Sequence, residues 1–392
     1  MRILSPTLFA MCLTAAPAQA LVACGGSFGE FISRIKAEAV TRGYEPAVVD
    51  RFLASARQDP KVLRADRAQG IFQMPFTQFA RRLISANRIE AGRRNAERYR
   101  TVFDDIERQW GVNRGVLLAF WAFETDYGAF QGDFNTVNAL LTLSHDCRRP
   151  ELFQPQVYSA LELFARGDLD PVRTTGAWAG EIGMVQMLPG DIIENGVDGD
   201  GDGEVNLKTS AIDALMSGGK MLSHLGWRPN EPWIDEVSVP GNLDWSLTGL
   251  DTKKTASEWA ALGVTARSGA FARSDLPASL LLPEGRNGPA FLAYPNFDVY
   301  FEWNQSFTYV LTAAYFANRL EGAQVFDAGN PSAALSEGEM KALQQKLQAR
   351  GYDVGGIDGI LGRKTRQAIQ QEQARLGLPA DAWPTRELLN AL

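Results

Sequence analysis

Glu124 is a lone acid at the end of an unbroken apolar run, residues 116–123, in the stretch Trp121-Ala122-Phe123-Glu124-Thr125-Asp126-Tyr127-Gly128. Such a run, with Asn113 placed to cap its start, predicts a helix buried on most faces, so the carboxyl group arrives at low dielectric. Desolvation disfavours its charged form. A carboxyl group kept protonated near neutral pH is able to act as a general acid, which is what cleavage of a glycosidic bond requires. This helix by itself leaves a second reading open, a buried carboxylate satisfied by backbone N–H groups or an arginine.

The other acidic constellation is Asp198-Gly199-Asp200-Gly201-Asp202-Gly203-Glu204-Val205-Asn206. It matches the first half of a calcium loop, with carboxylates at positions one, three and five and a glycine for the sharp turn. Thr209 stands where the loop's closing glutamate belongs, and the nearest later acid is Asp213, at the predicted start of a helix. The expectation is a structural Ca2+ or Na+ site formed by Asp198, Asp200, Asp202, Glu204 and Asp213, with a solvated acidic turn as the alternative. A regulatory switch is not expected, because no second loop is present. The chemistry at Glu124 calls for no cofactor. The only histidines, His145 and His224, lie in unrelated contexts and argue for no zinc site or Ser-His-Asp constellation. No glycine-rich phosphate loop follows a strand.

Positioning these residues falls to a chain of 392 residues, long enough for two domains, with a formal net charge of −7. No basic stripe is available to neutralise phosphates, so neither nucleic acid nor an anionic membrane surface is an expected partner. Residues 1–20 carry Arg2, an apolar stretch and Ala18-Gln19-Ala20, the pattern of an export signal that leaves Leu21 as the mature start. Removal of Cys12 with that segment leaves Cys24 and Cys147, which are expected to pair in an oxidising compartment. The competing use of Cys24 is a lipid anchor, since Leu21-Val22-Ala23-Cys24 resembles a lipoprotein box. No later segment approaches a membrane span in length.

Residues 28–165 follow helical periodicity, as in Phe28, Phe31, Ile32 and Ile35. Residues 229–295 break into short apolar runs with Gly, Pro, Asn and Asp, which predicts irregular structure or a small sheet. Helical spacing returns over 307–320. A mainly α domain is therefore expected over 21–326, followed by a linker at 327–336 and a small helical domain at 337–392. The two helices expected in the small domain span about 337–350 and 363–376. Leu343, Leu347, Ile360, Ile369 and Leu388 are expected to fill its core.

Three motifs in order carry a family resemblance covering roughly 28–322. Trp121 to Gly128 is similar to the catalytic Glu-Thr-x-Tyr-Gly motif of the membrane-bound lytic transglycosylase B family of murein transglycosylases. Ala177-Trp178-Ala179-Gly180-Glu181-Ile182-Gly183-Met184-Val185-Gln186-Met187-Leu188-Pro189 resembles its second motif, and Asn304-Gln305-Ser306-Phe307-Thr308-Tyr309 its third. The resemblance implies a lysozyme-like catalytic fold and a periplasmic enzyme acting on peptidoglycan. It also implies non-hydrolytic cleavage between N-acetylmuramic acid and N-acetylglucosamine that leaves a 1,6-anhydro sugar. Ordinary glycosidases use two carboxylates; here the sugar's own 6-hydroxyl would replace water, so Glu124 would act first as acid and then as base. The family pattern puts Gln186, Asn304 and Tyr309 near that glutamate, where neutral polar groups would orient the substrate. Tyr127 and Trp178 are candidates for stacking on sugar rings. Packing roles for all five are the bland alternative.

Two departures from the family pattern bear on function. Ala177 stands where relatives usually have Ser, and the second motif continues as Leu188-Pro189-Gly190-Asp191 rather than with paired serines. Glu181 occupies a position that commonly holds a small residue; a solvated surface place is expected for it. The acidic loop at Asp198 is a further likeness, since relatives have such a loop closed by a later aspartate. Residues 336–392 resemble the type-one peptidoglycan-binding domain, a three-helix module, through Leu343-Gln344, Gly351-Tyr352, Asp358-Gly359, Gly362, Thr365 and Ala368-Ile369. Glu372 replaces an aromatic there, and Ala382 a glycine. On a flexible linker, such a module would act by raising local concentration at the wall. A muramidase using Glu181 as a second acid, and a weakly catalytic wall-binding protein, are the alternative readings.

Overall fold

The computed structural model describes residues 21–68 and 74–392; the predicted export signal at 1–20 lies outside them. The helix Arg114–Thr125 runs through the centre of the larger domain. Asn113 caps it by accepting the Gly115 N–H at 2.7 Å, and residues 116–122 are each at most 3% exposed. It packs along Phe307–Leu320, where Phe123 and Phe316 stack with centroids 5.1 Å apart. The contact is close because Gly115 lacks a side chain: a Cβ there would lie 2.9 Å from the Ala317 carbonyl.

Around this pair the chain is helical, as its periodicity predicts, from Phe28–Thr41 to Pro150–Arg166 and again at Ala211–His224. The expected irregular region contains an antiparallel sheet. Its strands lie in the order Lys254–Thr255, Pro277–Leu281, Ala290–Ala293, Ile234–Ser238, Thr265–Ala266. The sheet has its own buried cluster, including Val237, Trp259, Leu280, Leu292 and Tyr294.

The segment that begins at Leu21 is tied down. A Cys24–Cys147 disulfide joins it to the start of Pro150–Arg166, and the Val22 backbone exchanges two hydrogen bonds with the Gln154 amide, each 2.9 Å. The bridge occupies the sulfur that a lipid anchor at Cys24 would need. Among the described residues no helix is long and apolar enough to cross a membrane.

The C-terminal domain comprises Glu337–Ala349, Arg363–Arg375 and Arg386–Ala391 around Met340, Leu343, Leu347, Ile369 and Leu388. Two expectations fail here. Ile360 does not join that core but faces a cleft of the larger domain. The module is also docked rather than loosely tethered. Arg366 donates to the Pro283 carbonyl at 2.8 Å and lies 4.5 Å over the Phe307 ring. Gln370 donates to the Thr248 carbonyl at 2.9 Å, and Arg363 and Gln367 both meet Asp251. The stretch 327–336 has no helix or strand, yet it is pinned: Phe326 packs on Phe76 and Tyr315, Asn330 donates to the Asn287 carbonyl at 2.7 Å, and the Ser332 carbonyl accepts from Trp383. Its small polar side chains left its backbone free to bond, which composition does not reveal.

Glu372 is fully buried and accepts from Tyr352 at 2.9 Å and from Arg375 at 2.7 Å, so an acid is accommodated where an aromatic was expected. Ala382 sits at φ +60°, a conformation that is unfavourable for a residue with a Cβ. Ala382→Gly is expected to stabilise the protein by about 1 kcal/mol, measured as the shift in a denaturant unfolding curve; an unchanged or lowered midpoint would contradict the strain at this turn.

Candidate active site

Glu124 lies at the last turn of its helix, on the floor of a cleft of about 690 Å³. One wall is the segment 303–308, with Trp303, Asn304 and Phe307; the other carries Ala177, Trp178, Glu181 and Gln186. Ile360, Leu361 and Gly362 of the docked domain close one side.

The carboxyl group is half-buried and held by two neutral donors on the same oxygen. Tyr309 donates its hydroxyl to Glu124 Oε1 at 2.5 Å, and Trp303 donates its indole N–H at 3.1 Å. Desolvation pushes the proton affinity of Glu124 above the usual carboxylate range, and the two hydrogen bonds offset part of that rise. Tyr309, buried beside the acid, has its own pKa raised well above the ordinary phenol value and stays a donor. Trp303 is in turn fixed by stacking on Phe120, centroids 4.3 Å apart.

The turn after Glu124 is strained. Asp126, Tyr127 and Gly128 all have positive φ, of 51°, 59° and 89°, a costly run for two residues with side chains. Arg88 holds it from the helix Ala86–Arg98, pairing with Asp126 at 2.8 Å while its carbonyl accepts the Tyr127 hydroxyl at 2.8 Å. Tyr127 is thereby spent on packing, edge-on to Trp121, and does not line the cleft; its expected place against a sugar ring is corrected. Thr125 links the first and second motif segments in space, donating to the Met184 carbonyl at 2.6 Å and accepting from the Gly128 N–H at 2.9 Å.

The second wall is a tight hairpin. Ala177 N–H donates to the Glu181 carbonyl at 3.0 Å, and Ile182 pairs with Met187. Gly176 is required: a Cβ there would fall 1.8 Å from the Glu181 carbonyl oxygen. Gln186, at φ 54°, is braced by donating its amide to the Gly183 carbonyl at 2.7 Å. Across the cleft, Asn304 accepts the Ser306 N–H at 2.9 Å. Gln186, Asn304, Tyr309 and Trp178 are thus assembled around Glu124 or along its cleft.

Glu181 is the main surprise. It lines the cleft rather than facing solvent, and one carboxylate oxygen is buried with no partner among the described residues. Burial, and secondarily the charge of Glu124, push its pKa up to about 7. The hairpin fold explains the difference, because pairing 177 with 181 turns the intervening residues toward the groove. Trp303 was overlooked in the sequence; adjacency to Asn304 was its only signal.

At the acidic loop, Asp198, Asp200 and Asp202 bring carboxylate oxygens within 4.8 Å of one another, all exposed. Glu204 and Asp213 are not part of that group. Asp213 is fully buried and its carboxylate accepts the Gly199 N–H at 2.9 Å and the Asn206 N–H at 2.8 Å, bracing the loop from behind. His145 packs between Phe28 and Phe31, and His224 meets Asn195 at 3.1 Å.

Both domains of the chain resemble known proteins. Residues 27–318 match the family model of the transglycosylase SLT domain, and 336–392 that of the putative peptidoglycan binding domain. The chain is 29% identical over 215 residues to membrane-bound lytic murein transglycosylase B of Escherichia coli (strain K12), a match covering 53% of this chain and 58% of that protein's length. It superposes on the crystal structure of SltB3 from Pseudomonas aeruginosa in complex with NAG-anhNAM-pentapeptide, with TM-score 0.85 and 33% identity, over 94% of this chain and 99% of that one. The fold is also similar to Escherichia coli lytic transglycosylase Slt35 in complex with calcium, with TM-score 0.66 and 24% identity over 76% of this chain and 95% of that one.

Proposed function

Since the chain belongs to the transglycosylase SLT domain family, we propose that it is a peptidoglycan lytic transglycosylase with Glu124 as its acid and base. The observation that carries this reading is the half-buried carboxyl group of Glu124, held by Tyr309 and Trp303 on the floor of an open cleft. Protonated Glu124 gives its proton to the oxygen between N-acetylmuramic acid and N-acetylglucosamine as the bond to the anomeric carbon breaks. The resulting carboxylate then takes the proton of the muramic acid 6-hydroxyl as that oxygen attacks the same carbon. The product is a 1,6-anhydro sugar, and Glu124 is protonated again. Two neutral donors suit this cycle, because they steady the carboxylate form without competing for its proton.

Gln186, Asn304 and Trp178 line the cleft; in this reading Gln186 and Asn304 orient the sugar and Trp178 stacks on it. The docked C-terminal domain, with Leu361 and Gly362 at the cleft, acts as a wall of the substrate groove in addition to binding glycan. Export to the periplasm fits the predicted signal at 1–20 and the Cys24–Cys147 bridge, a form in which Cys24 carries no lipid.

Asp198, Asp200 and Asp202 suit a hard cation such as Ca2+ or Na+, which takes carboxylate and carbonyl oxygens. Its role would be structural, because the loop is braced by Asp213 and lies outside the Glu124 cleft. Calcium at millimolar concentration is expected to raise the melting temperature by a few degrees, and Asp200→Ala to abolish the rise; an equal rise in the variant would refute the site.

Mass spectrometry of products from purified peptidoglycan tests the reaction. The protein should release disaccharide products one water lighter than hydrolysis gives, and Glu124→Gln should release none. Reducing-end products would identify a muramidase instead, and equal turnover by the variant would remove Glu124 from the chemistry.

A further inference from the structure

Glu181 has no task in the reaction just described, yet it occupies the same cleft as Glu124. We propose that Glu181 is a substrate-positioning acid of the active site, which touches the bound glycan through a carboxyl oxygen that has no partner among the described residues. This rests on the reading of Glu124 as proton donor.

Three observations carry it. The first is placement: the hairpin fixed by Ala177 and Glu181 puts this side chain on the groove wall that also presents Trp178 and Gln186. The second is the buried oxygen that no donor among the described residues satisfies. Polar atoms buried in folded proteins are nearly always bonded, and exceptions at a cleft point to a ligand. A sugar hydroxyl or acetamido group in the groove would supply the missing partner.

The third observation is the missing counter-ion. The charges that bear on Glu181 are Glu124, which opposes its ionisation, and Arg149, which favours it less strongly. Arg149 is already committed: together with Arg148 it pairs with Asp66, which is only 1% exposed. Glu181 thus shares the cleft with Glu124 without a dedicated cation among the described residues; burial first, and then the charge of Glu124, raise its pKa to about 7, while backbone N–H groups of Glu181 and Ala179 hold it down in part.

Burial keeps Glu181 a neutral, hydrogen-bonding acid at pH 5, and it becomes charged only as pH passes about 7. The pH dependence of stability tests that setting. A carboxyl whose folded pKa is raised from 4.5 to about 7 adds its full stability below pH 4.5, and loses it as pH rises through 7. Glu181→Gln should therefore melt like the parent at pH 4 and higher than the parent at pH 8, which separates lost activity from lost fold.

The experiment compares the parent, Glu124→Gln, Glu181→Gln and Glu181→Ala on a defined glycan of alternating N-acetylglucosamine and N-acetylmuramic acid, from pH 4.5 to 9. At pH 5, where Glu181 is neutral, Glu181→Gln should resemble the parent, while Glu181→Ala should show KM raised about tenfold from the lost hydrogen bond. An unchanged KM in Glu181→Ala, or a KM raised equally in Glu181→Gln, would overturn the proposal. Failure of the underlying reading looks different: Glu124→Gln would then remain active, whereas an inactive Glu124→Gln beside Glu181→Ala with the parent's KM sinks only the role of Glu181.

Discussion

The bond that organises this molecule is the short hydrogen bond from Tyr309 to Glu124, made between the two most central helices. A carboxyl group at the end of an apolar helix is unstable as an anion unless donors reach it, and full stabilisation would make it useless as an acid. Tyr309 and the Trp303 indole provide two neutral donors to one oxygen, an intermediate solution that leaves the proton affinity raised. Each feature around them serves that balance. Gly115 lets the helices approach, Phe120 fixes Trp303, and Thr125 ties the end of the helix to the opposite wall.

Strain and polarity are concentrated where substrate must enter. The left-handed residues Asp126 and Tyr127 end the helix abruptly, so Glu124 faces an open groove instead of a further turn. The Gly176 to Met187 hairpin stands opposite, and its Gly176 position tolerates no side chain. The C-terminal domain completes the enclosure. Its docking uses Arg366 on Phe307, a residue that itself lines the groove, so the binding module and the catalytic cleft form one continuous surface.

Much of this was legible in the chain. Glu124 stands out because it is the only acid in its apolar helix, and helix 114–125 follows from its cap and its run of buried residues. Gln186, Asn304 and Tyr309 were read from motif order, and the cysteine pair from simple counting. What escaped were properties set by pairing across long separations. Trp303 reaches Glu124 over 179 positions of sequence. Glu181 looks like a surface acid until residue 177 is paired with 181, and Tyr127 looks like a stacking platform until Arg88 is seen to hold it. Ile360 and the polar stretch 327–336 misled for the same reason, because docking between domains leaves no periodic signal in either partner.

The account depends on Glu124 holding its proton, and that proton can be observed. Carboxyl carbon NMR of the protein labelled at glutamate, with the Glu124 signal assigned by its absence in Glu124→Gln, gives the titration midpoint directly. A midpoint clearly above 4.5, moving higher still in Tyr309→Phe, is the predicted result, because burial raises the affinity and the tyrosine bond lowers it. A midpoint at or below 4.5 would mean that the group is an ordinary satisfied carboxylate, and would contradict its role as the acid.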